Sequence, residues 1–197
     1  MVPSQRRPPS RSGDTRASAS EPAGGETGSA AMPEGMRVGH GVDVHPFNTD
    51  GSRRLVLGGV RIPNEPALDG HSDADVILHA TVDALLGAAG LGDIGTLFGS
   101  EDPDYAGADS QVFLAGALRQ VARAGWQVCN VDITLIGQRP RIGPYRNRIC
   151  ASVATLLGVH SGQVNIKATT SDGLGFIGRG EGLACMATVL LQAARPT

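Results

Sequence analysis

The stretch Gly39-His40-Gly41-Val42-Asp43-Val44-His45 decides the fold, because it predicts a β-strand whose end carries ligating side chains. Residues two apart on a strand point to the same face, so Asp43 and His45 present a carboxylate and an imidazole side by side. Farther along, Gly70-His71-Ser72-Asp73-Ala74-Asp75-Val76-Ile77-Leu78-His79 predicts the start of a helix that brings a second imidazole, His79. Two histidines and one carboxylate are typical of a catalytic zinc site with one open position. The alternative is a hydrogen-bonded core pair and an unrelated helix histidine.

Composition narrows the class of protein. The 197 residues are 41% hydrophobic but include only four Phe, two Tyr and one Trp, which predicts one domain with an aliphatic core. The formal charge of −2 gives no electrostatic reason to expect nucleic acid or an anionic membrane as a partner. No apolar run approaches the roughly 20 residues of a membrane span. Three cysteines without CxxC spacing indicate buried thiols in a reducing compartment. We therefore expect a soluble, cytoplasmic protein.

Residues 1–35 differ from the rest and are predicted to form a disordered tail. They are rich in Pro, Ser, Gly, Ala and Arg and hold almost no large apolar side chains, so they cannot offset the entropy lost on ordering. They lack the apolar stretch of a secretory signal. Two interpretations stay open: a dispensable tail ahead of Met36, or a transit peptide to an organelle such as a plastid. Residues 36–197 form the predicted single domain.

Predicted strands and helices intermix after the tail. Strands are expected over 37–44, 54–57, 131–138, 164–170 and 183–192, and helices over 72–89, 110–124 and 145–157, with a loop over 92–104. This order predicts an α+β fold, an α/β sandwich in which a mixed sheet carries helices on one face. The last strand is apolar on both faces and no helix is left to cover the second face. The sheets of several subunits are therefore predicted to pack against each other.

Several separated motifs then point to one family. They are GHGVDVH, LGG, GHSDADVILHATVDALLGAAGLGDIGTLF, NVDITLIGQRPRI, VNIKATTSDGLGF and GRGEG, in this order. Residues 37 to about 195 resemble the 2-C-methyl-D-erythritol 2,4-cyclodiphosphate synthases of the non-mevalonate isoprenoid pathway. The resemblance implies a homotrimer with sheets around a threefold axis and active sites between adjacent subunits. It also implies a monofunctional enzyme, because the residues ahead of Arg37 are too few for the cytidylyltransferase to which some relatives are fused.

The resemblance implies a reaction and its cofactors. The substrate would be 4-diphosphocytidyl-2-C-methyl-D-erythritol 2-phosphate, whose 2-phosphate attacks the β-phosphorus with release of CMP, which makes the enzyme a phosphorus–oxygen lyase. Asp43, His45 and His79 match the ligands of one Zn²⁺ per subunit. Asp172 matches a ligand of Mg²⁺ or Mn²⁺ on the substrate diphosphate, although some members have Glu there. A water-activating metal phosphohydrolase and a non-catalytic trimeric binding module are the competing classes.

The resemblance also carries over a set of substrate contacts. His71 and Thr170 match residues that stabilise the transition state. The implied substrate-binding residues are Asp43, Val44, His45, His71, Ser72, Asp93, Ile94, Gly95, Phe98, Asp102, Gly137, Gln138, Arg139, Pro140, Arg141, Ile142, Gly143, Thr169, Thr170, Ser171, Asp172, Phe176 and Arg179.

Further roles are expected near the predicted metal ligands. Asp75 and Asp83 lie four residues before and after His79, so either one can orient the imidazole, with a solvated helix carboxylate as the alternative. Ser72-Asp73 is expected to cap the helix. The N–H groups at this helix N-terminus, beside His71 and Ser72, are then expected to bind a phosphate group. Asp93 suits vicinal hydroxyl groups of the substrate, with an ordinary surface turn as the alternative.

The motif GQRPRIG matches the cytosine pocket of the family, where backbone groups read the edge of the base. The family often has Ala and Lys where this chain has Gly137 and Arg141, and an Arg keeps the charge but changes the geometry. We therefore expect the backbone of this segment, rather than the Arg141 side chain, to contact the cytosine. Phe176 and Arg179 match residues around the threefold axis, where Arg179 is expected to bind an anion or a carboxylate such as Glu181.

Overall fold

Six strands and five α-helices follow one another in the computed structural model, which describes residues 35–48, 50–99 and 107–194. They are β1 (Met36–Pro46), β2 (Leu55–Leu57), β3 (Val60–Ile62), α1 (Val76–Ala89), α2 (Ile94–Phe98), α3 (Gln111–Arg123), β4 (Trp126–Ile136), α4 (Arg146–Leu157), β5 (Val164–Thr169), α5 (Gly175–Gly178) and β6 (Gly182–Ala193). The predicted tail up to Glu34 and the predicted substrate contact Asp102 lie outside the described residues. None of the described helices is long and apolar enough to cross a membrane.

Four strands form a mixed sheet in the order β1-β6-β4-β5. Strand β4 pairs with β5 in parallel, whereas β6 pairs antiparallel with both β1 and β4. The β1–β6 register places Met36 opposite Gln192 at one end of the sheet and Pro46 opposite Gly182 at the other. The predicted α+β class with a mixed sheet is confirmed. Strand β2 pairs with β3 in a separate two-stranded sheet.

One face of the large sheet is buried beneath helices and the other is open in the single chain. Along β4, Val131, Ile133 and Leu135 are buried, whereas the alternate residues are only half-buried. On the same inner side, helices α1, α3 and α4 share one aliphatic core with the sheet. Among the described buried hydrophobic residues, Phe113 and Trp126 are the aromatic ones, as the composition predicted.

Two glycines of β1 let α1 lie directly on the strand. A Cβ atom built on Gly39 would be 1.9 Å from the carbonyl oxygen of Ala84, and one on Gly41 would be 2.0 Å from that of Ala80. Both distances are far below van der Waals contact, so only glycine fits at these two positions. The close approach places a residue of the first turn of α1, His79, at the end of β1.

Helix α1 begins later than the sequence predicts. Its N-cap is Asp75, whose carboxylate accepts hydrogen bonds from the N–H groups of Ile77 (3.1 Å) and Leu78 (3.2 Å). The expected cap at Ser72 is therefore wrong, because three residues separate it from the helix. The end of the helix is as predicted, with Gly90 in the left-handed conformation (φ 72°).

Candidate active site

Three ligating atoms from two elements meet at the end of β1. The Oδ2 atom of Asp43 lies 3.0 Å from Nε2 of His45 and 3.1 Å from Nδ1 of His79. The two ring nitrogens lie 3.3 Å apart. These are the residues that the strand and helix patterns predicted would converge, and they form a candidate metal site.

The hydrogen bond on the far side of the His45 ring fixes its tautomer. Its Nδ1 atom lies 2.7 Å from the carbonyl oxygen of Asp69, which can only accept, so Nδ1 carries the proton. In the neutral ring, Nε2 then directs a lone pair toward Asp43. Gly70 leaves room for this ring, since a Cβ atom there would lie 2.9 Å from Cε1 of His45.

The far side of the His79 ring contacts two buried serines. Its Nε2 atom lies 2.8 Å from Oγ of Ser110 and 3.1 Å from Oγ of Ser72. The Ser110 hydroxyl donates to the carboxylate of Asp73, so its oxygen accepts the ring N–H of His79. Nδ1 of His79 therefore has a lone pair, which points toward Asp43 as the lone pair on Nε2 of His45 does.

The donor set fits a zinc-like ion. Two imidazole lone pairs and a carboxylate oxygen repel one another at 3.0–3.3 Å unless a cation lies between them. Ligands about 2.0 Å from a tetrahedral ion lie about 3.3 Å apart, which agrees with these separations. Two nitrogen ligands and one oxygen suit zinc better than Mg²⁺ or Ca²⁺, which prefer oxygen.

The electrostatics of the centre favour a cation as well. Burial acts to raise the pKa of the Asp43 carboxyl, but the His45 and His79 rings outweigh it and lower that pKa to about 2. Burial acts to lower the pKa of His45, yet interactions with Asp43 and Asp69 raise it overall. The carboxylate is therefore ionised at neutral pH and available as an anionic ligand.

A cleft of about 230 Å³ opens beside these three residues. It is lined by Asp43, His45, His71, Ser72, His79, Ile94, Gly95, Phe98, Gly99 and Phe113. The sequence predicted all of these as site residues except Gly99 and Phe113. One side of the cleft is therefore polar and ligating, and the other is apolar.

Neither carboxylate that was expected to orient His79 does so. Asp75 is fully buried and accepts the N–H groups of Gly58 (2.8 Å) and Gly59 (2.7 Å) in addition to those of α1. Burial raises the pKa of Asp75 to about 6. Asp83 accepts the N–H of Ile94 at 2.9 Å and so ties α2 to α1. Helix geometry alone could not reveal that nearer backbone donors occupy both carboxylates.

The expected helix-terminal cradle at His71-Ser72 is also not formed as predicted. These residues precede α1, whose N–H groups at Ile77 and Leu78 bond the cap carboxylate. His71 is exposed at the cleft, and Ser72 turns its hydroxyl toward His79. Arg53 holds this segment by donating to the carbonyl oxygens of Gly70 (2.7 Å) and Ser72 (2.6 Å).

Asp93 and its neighbours form the short helix α2 within the predicted loop. Asp93 is the N-cap and accepts the N–H of Thr96 at 2.7 Å. Ile94, Gly95 and Phe98 line the cleft from this helix. Asp93 itself is exposed, so an oxygen remains accessible for a ligand hydroxyl.

A second cleft, of about 460 Å³, lies at the same end of the sheet. It joins the GQRPRIG segment to the end of β5, and its lining includes Gly137, Gln138, Pro140, Arg141, Ile142, Gly143, Arg146, Lys167, Ala168, Thr169 and Thr170. Arg139 is predicted there too, but its guanidinium lies over the ring of Phe47, 5.0 Å from the centroid. Arg146 and Lys167 also line it, which the sequence did not predict. Lys167 is paired with Asp132, and Arg146 donates to the carbonyl oxygen of Ile166 at 2.6 Å and to Oδ1 of Asn165 at 2.9 Å.

The remaining predicted residues follow β5. Asp172 has a left-handed backbone (φ 50°), and its carboxylate accepts the hydroxyl of Thr170 at 3.1 Å. Ser171 donates to the carbonyl oxygen of Leu174 at 2.7 Å. Phe176 is 44% exposed, and Arg179 pairs with Glu181 through Nε at 2.6 Å and Nη2 at 3.2 Å. The expected Arg179–Glu181 contact is present.

Sequence patterns missed Ser110, although it touches a predicted ligand. It stands at the start of the helix predicted over 110–124, where a serine is common as a cap, yet its side chain makes no cap hydrogen bond. Phe113 was missed for a similar reason, because its helical spacing suggests only core packing. Nothing within α3 signals that this end of the helix faces His79.

Fold and site together define a class of protein: an α+β enzyme with a candidate two-histidine, one-carboxylate metal centre. The sequence model of the YgbB family matches residues 36–192. The 2-C-methyl-D-erythritol 2,4-cyclodiphosphate synthase of Erwinia tasmaniensis is 55% identical over 159 residues, which cover 81% of this chain and 100% of that protein. The chain therefore belongs to the YgbB family, and the resemblance inferred from the motifs is confirmed.

Solved structures agree with this assignment. IspF of Plasmodium falciparum, in a CDP complex, matches with a TM-score of 0.72 and 36% identity over 83% of this chain and 99% of that chain. The bifunctional IspDF of Campylobacter jejuni matches with a TM-score of 0.78 and 39% identity over 82% of this chain. This chain spans only 44% of that bifunctional protein.

Proposed function

We propose that this protein converts 4-diphosphocytidyl-2-C-methyl-D-erythritol 2-phosphate to 2-C-methyl-D-erythritol 2,4-cyclodiphosphate and CMP. The observation that carries the proposal is the convergence of Asp43, His45 and His79 in a cleft, within a chain of this family. Relatives named for this reaction match almost their whole length.

The reaction rearranges the substrate without adding water. An oxygen of the 2-phosphate attacks the β-phosphorus, the bond from that phosphorus to the CMP oxygen breaks, and CMP leaves with the electron pair. The attacking oxygen belongs to the substrate, so the protein needs no covalent nucleophile. Its main task is to fold a polyanion back on itself, and alignment of this kind can contribute about 7–11 kcal/mol.

Asp43, His45 and His79 would hold one zinc ion at the reacting phosphates. When bound, zinc polarises a phosphoryl oxygen and neutralises charge as a Lewis acid. The residues of this chain fix its position, because the Asp69 carbonyl orients His45 and the start of α1 fixes His79. Exposed His71 lies at the rim, where its imidazole can donate to a phosphate oxygen.

The second cleft suits the cytidine end of the substrate. It offers backbone groups of residues 137–143 for the base and Arg146 for phosphate, with Lys167, which is paired with Asp132, beside it. Thr170, just after β5, could turn its hydroxyl from Asp172 to donate to the diphosphate. Asp172 beside it can accept a hydrated Mg²⁺ or Mn²⁺ on the same phosphates. Two related structures were solved with CDP, which supports a nucleotide at such a cleft.

The first test is the product itself. Incubation with the diphosphocytidyl substrate, Zn²⁺ and Mg²⁺ is expected to give a cyclic diphosphate in phosphorus NMR and an equal amount of CMP. Removing metal with a chelator should stop both, and added Zn²⁺ should restore them. A linear product that carries the mass of one added water would instead identify a phosphohydrolase.

The open sheet face supports a homotrimer with active sites between adjacent subunits. It exposes Val38 (68%), Val42 (47%), Val44 (46%) and Met186 (40%), which form an apolar surface on β1 and β6. A trimer would bury this face against the same face of two other copies. Each metal cleft would then meet the nucleotide cleft of a neighbouring subunit.

Light scattering is expected to give a molecular mass of about 61 kDa, which is three times the 20.2 kDa of one chain. A Val38→Glu change should dissociate the trimer, since it would bury an unpaired charge at the interface. Val112→Glu is the matched control, because Val112 is also exposed (48%) but lies on α3. A monomeric native protein, or a Val38→Glu protein that remains trimeric, would contradict the assembly.

The three described cysteines, Cys129, Cys150 and Cys185, are free thiols, which supports a reducing compartment such as the cytoplasm. An organelle location would require removal of a transit peptide from residues 1–34. Sequencing the N-terminus of the protein isolated from its own cells distinguishes the two.

A further inference from the structure

We propose that Asp73 and Ser110 form a positioning relay that fixes the tautomer of His79 and so prepares it to bind metal. The inference rests on the proposed metal centre but not on the proposed reaction. It concerns two residues outside the ligand set, both of which act through the His79 ring.

The relay is a chain of hydrogen bonds with only one consistent direction. The Asp73 carboxylate accepts, so the Ser110 hydroxyl must donate its proton to it. The Ser110 oxygen, 2.8 Å from Nε2 of His79, can then only accept from the ring. The proton of the imidazole is held on Nε2, and Nδ1 keeps its lone pair toward Asp43.

The backbone holds both members of the relay in place. The same Asp73 oxygen also accepts the N–H groups of Ser110 and Asp75, each at 3.2 Å. The N–H of Asp73 donates to the carbonyl oxygen of Ala108 at 3.0 Å. The segment before α1 is thus tied to the segment before α3, and the serine has no freedom to turn away.

The serine does not serve its ordinary local purpose. Ser110 stands at the N-cap position of α3, where a serine side chain usually accepts an N–H of the first turn. It makes no such bond, and it is fully buried with its hydroxyl directed at His79. The capping-type bond at this turn comes instead from Asp109, whose carboxylate accepts the N–H of Gln111 at 2.9 Å.

Ser72 cannot replace this function. Its oxygen is also near Nε2 of His79, at 3.1 Å, and it accepts the N–H of Ala74 at 3.2 Å. Among the described residues, however, no carboxylate accepts the Ser72 hydroxyl, whose other neighbour is Oγ of Ser110 at 3.4 Å, so Ser72 by itself does not fix the tautomer of the ring. Only Ser110 is committed to the accepting role.

The test is the affinity for zinc of the full-length protein, measured by competition with a chromophoric chelator. Ser110→Ala is expected to weaken zinc binding about 10–100-fold, the usual effect of losing an outer partner of a metal-bound histidine. Asp73→Asn should weaken it less, because the amide oxygen can still accept from the serine but without the charge. Ser110→Thr, which keeps the hydroxyl, should restore most of the affinity.

Thr81→Val is the matched control. Thr81 is a buried hydroxyl on the same helix, two positions beyond His79, but it donates to the carbonyl oxygen of Ile77 at 2.7 Å. Its loss should leave zinc affinity unchanged. The visible spectrum of the cobalt-substituted protein gives a second readout, which should change for Ser110→Ala and not for Thr81→Val.

The melting temperatures of the metal-free proteins show whether a variant binds zinc weakly because His79 is misplaced or because the protein is less stable. The relay would be overturned if the Ser110→Ala protein kept the native zinc affinity and an unchanged cobalt spectrum. It would also be overturned if Thr81→Val weakened zinc binding as much as Ser110→Ala does. If Ser110→Ala fails to fold, Asp73→Asn decides by the same two readouts. A native protein that binds no zinc would instead refute the proposed metal centre.

Discussion

Replacing His79 with alanine is expected to abolish CMP release while the protein stays folded. The change leaves Asp43 and His45 as a two-residue set, which cannot hold an ion in a defined geometry. Loss of charge stabilisation at the reacting phosphates should lower kcat by at least about 10²–10³-fold. His79 lies at the edge of the core with a side chain 13% exposed, so the stability loss should be about 1–2 kcal/mol.

The control is His160→Ala. His160 is an exposed histidine that precedes a 3₁₀ turn (Ser161–Gln163) and lines neither of the two clefts. Its removal should leave turnover and metal content unchanged. CMP release measured by chromatography, metal content by elemental analysis and the fold by circular dichroism together decide the result. Turnover that persists in a metal-depleted His79→Ala protein would remove zinc from the mechanism.

The largest effect on stability is expected at Gly41. In Gly41→Ala, the new methyl group would lie 2.0 Å from the carbonyl oxygen of Ala80 and 2.7 Å from the N–H nitrogen of Ala84. Both atoms belong to the backbone of α1, so the whole helix must move away from β1. We expect a loss of about 3 kcal/mol or more in the free energy of unfolding, with weaker metal binding because His79 moves too.

Gly87→Ala, on α1 itself, is the matched control. Gly87 is exposed, and a Cβ atom there meets nothing within 4 Å. Because alanine is the better helix former, this change should stabilise the protein by about 0.5–1 kcal/mol. Thermal melting of the two variants should therefore shift in opposite directions. Equal melting temperatures would show that the strand–helix contact does not limit stability.

Local patterns predicted most of the elements because those elements bury one face. The period-2 alternation of Val131, Ile133 and Leu135 predicted the second half of β4, although the strand begins at Trp126 and ends at Ile136 rather than over 131–138. The glycine at position 90 predicted the end of α1. The short elements β3, α2 and α5 were missed because three to five residues are too few for a period to show. The pairing of β1 with β6 was also out of reach, because it joins the two ends of the domain.

The candidate site was predictable in its ligands but not in what orients them. Asp43 and His45 share a strand face, so their side-by-side placement follows from the backbone alone. The helix pattern offered His79 as a third ligand, but the way its helix reaches β1 could not be predicted, because it depends on the close approach of α1 to two glycines. The Ser110 contact spans 31 positions in sequence and involves a residue type that is common at helix starts. No pattern within one sequence distinguishes it from a cap.

The strand register has a practical consequence for engineering this protein. Met36 and Gln192 face each other at one end of the sheet, whereas His45, Gly137 and both clefts lie at the other. A polypeptide joined before Met36 or after Ala193 would be attached at the end of the sheet that lies about ten strand residues from both clefts. Affinity tags, fluorescent reporters or a partner enzyme can therefore be joined here without blocking substrate entry.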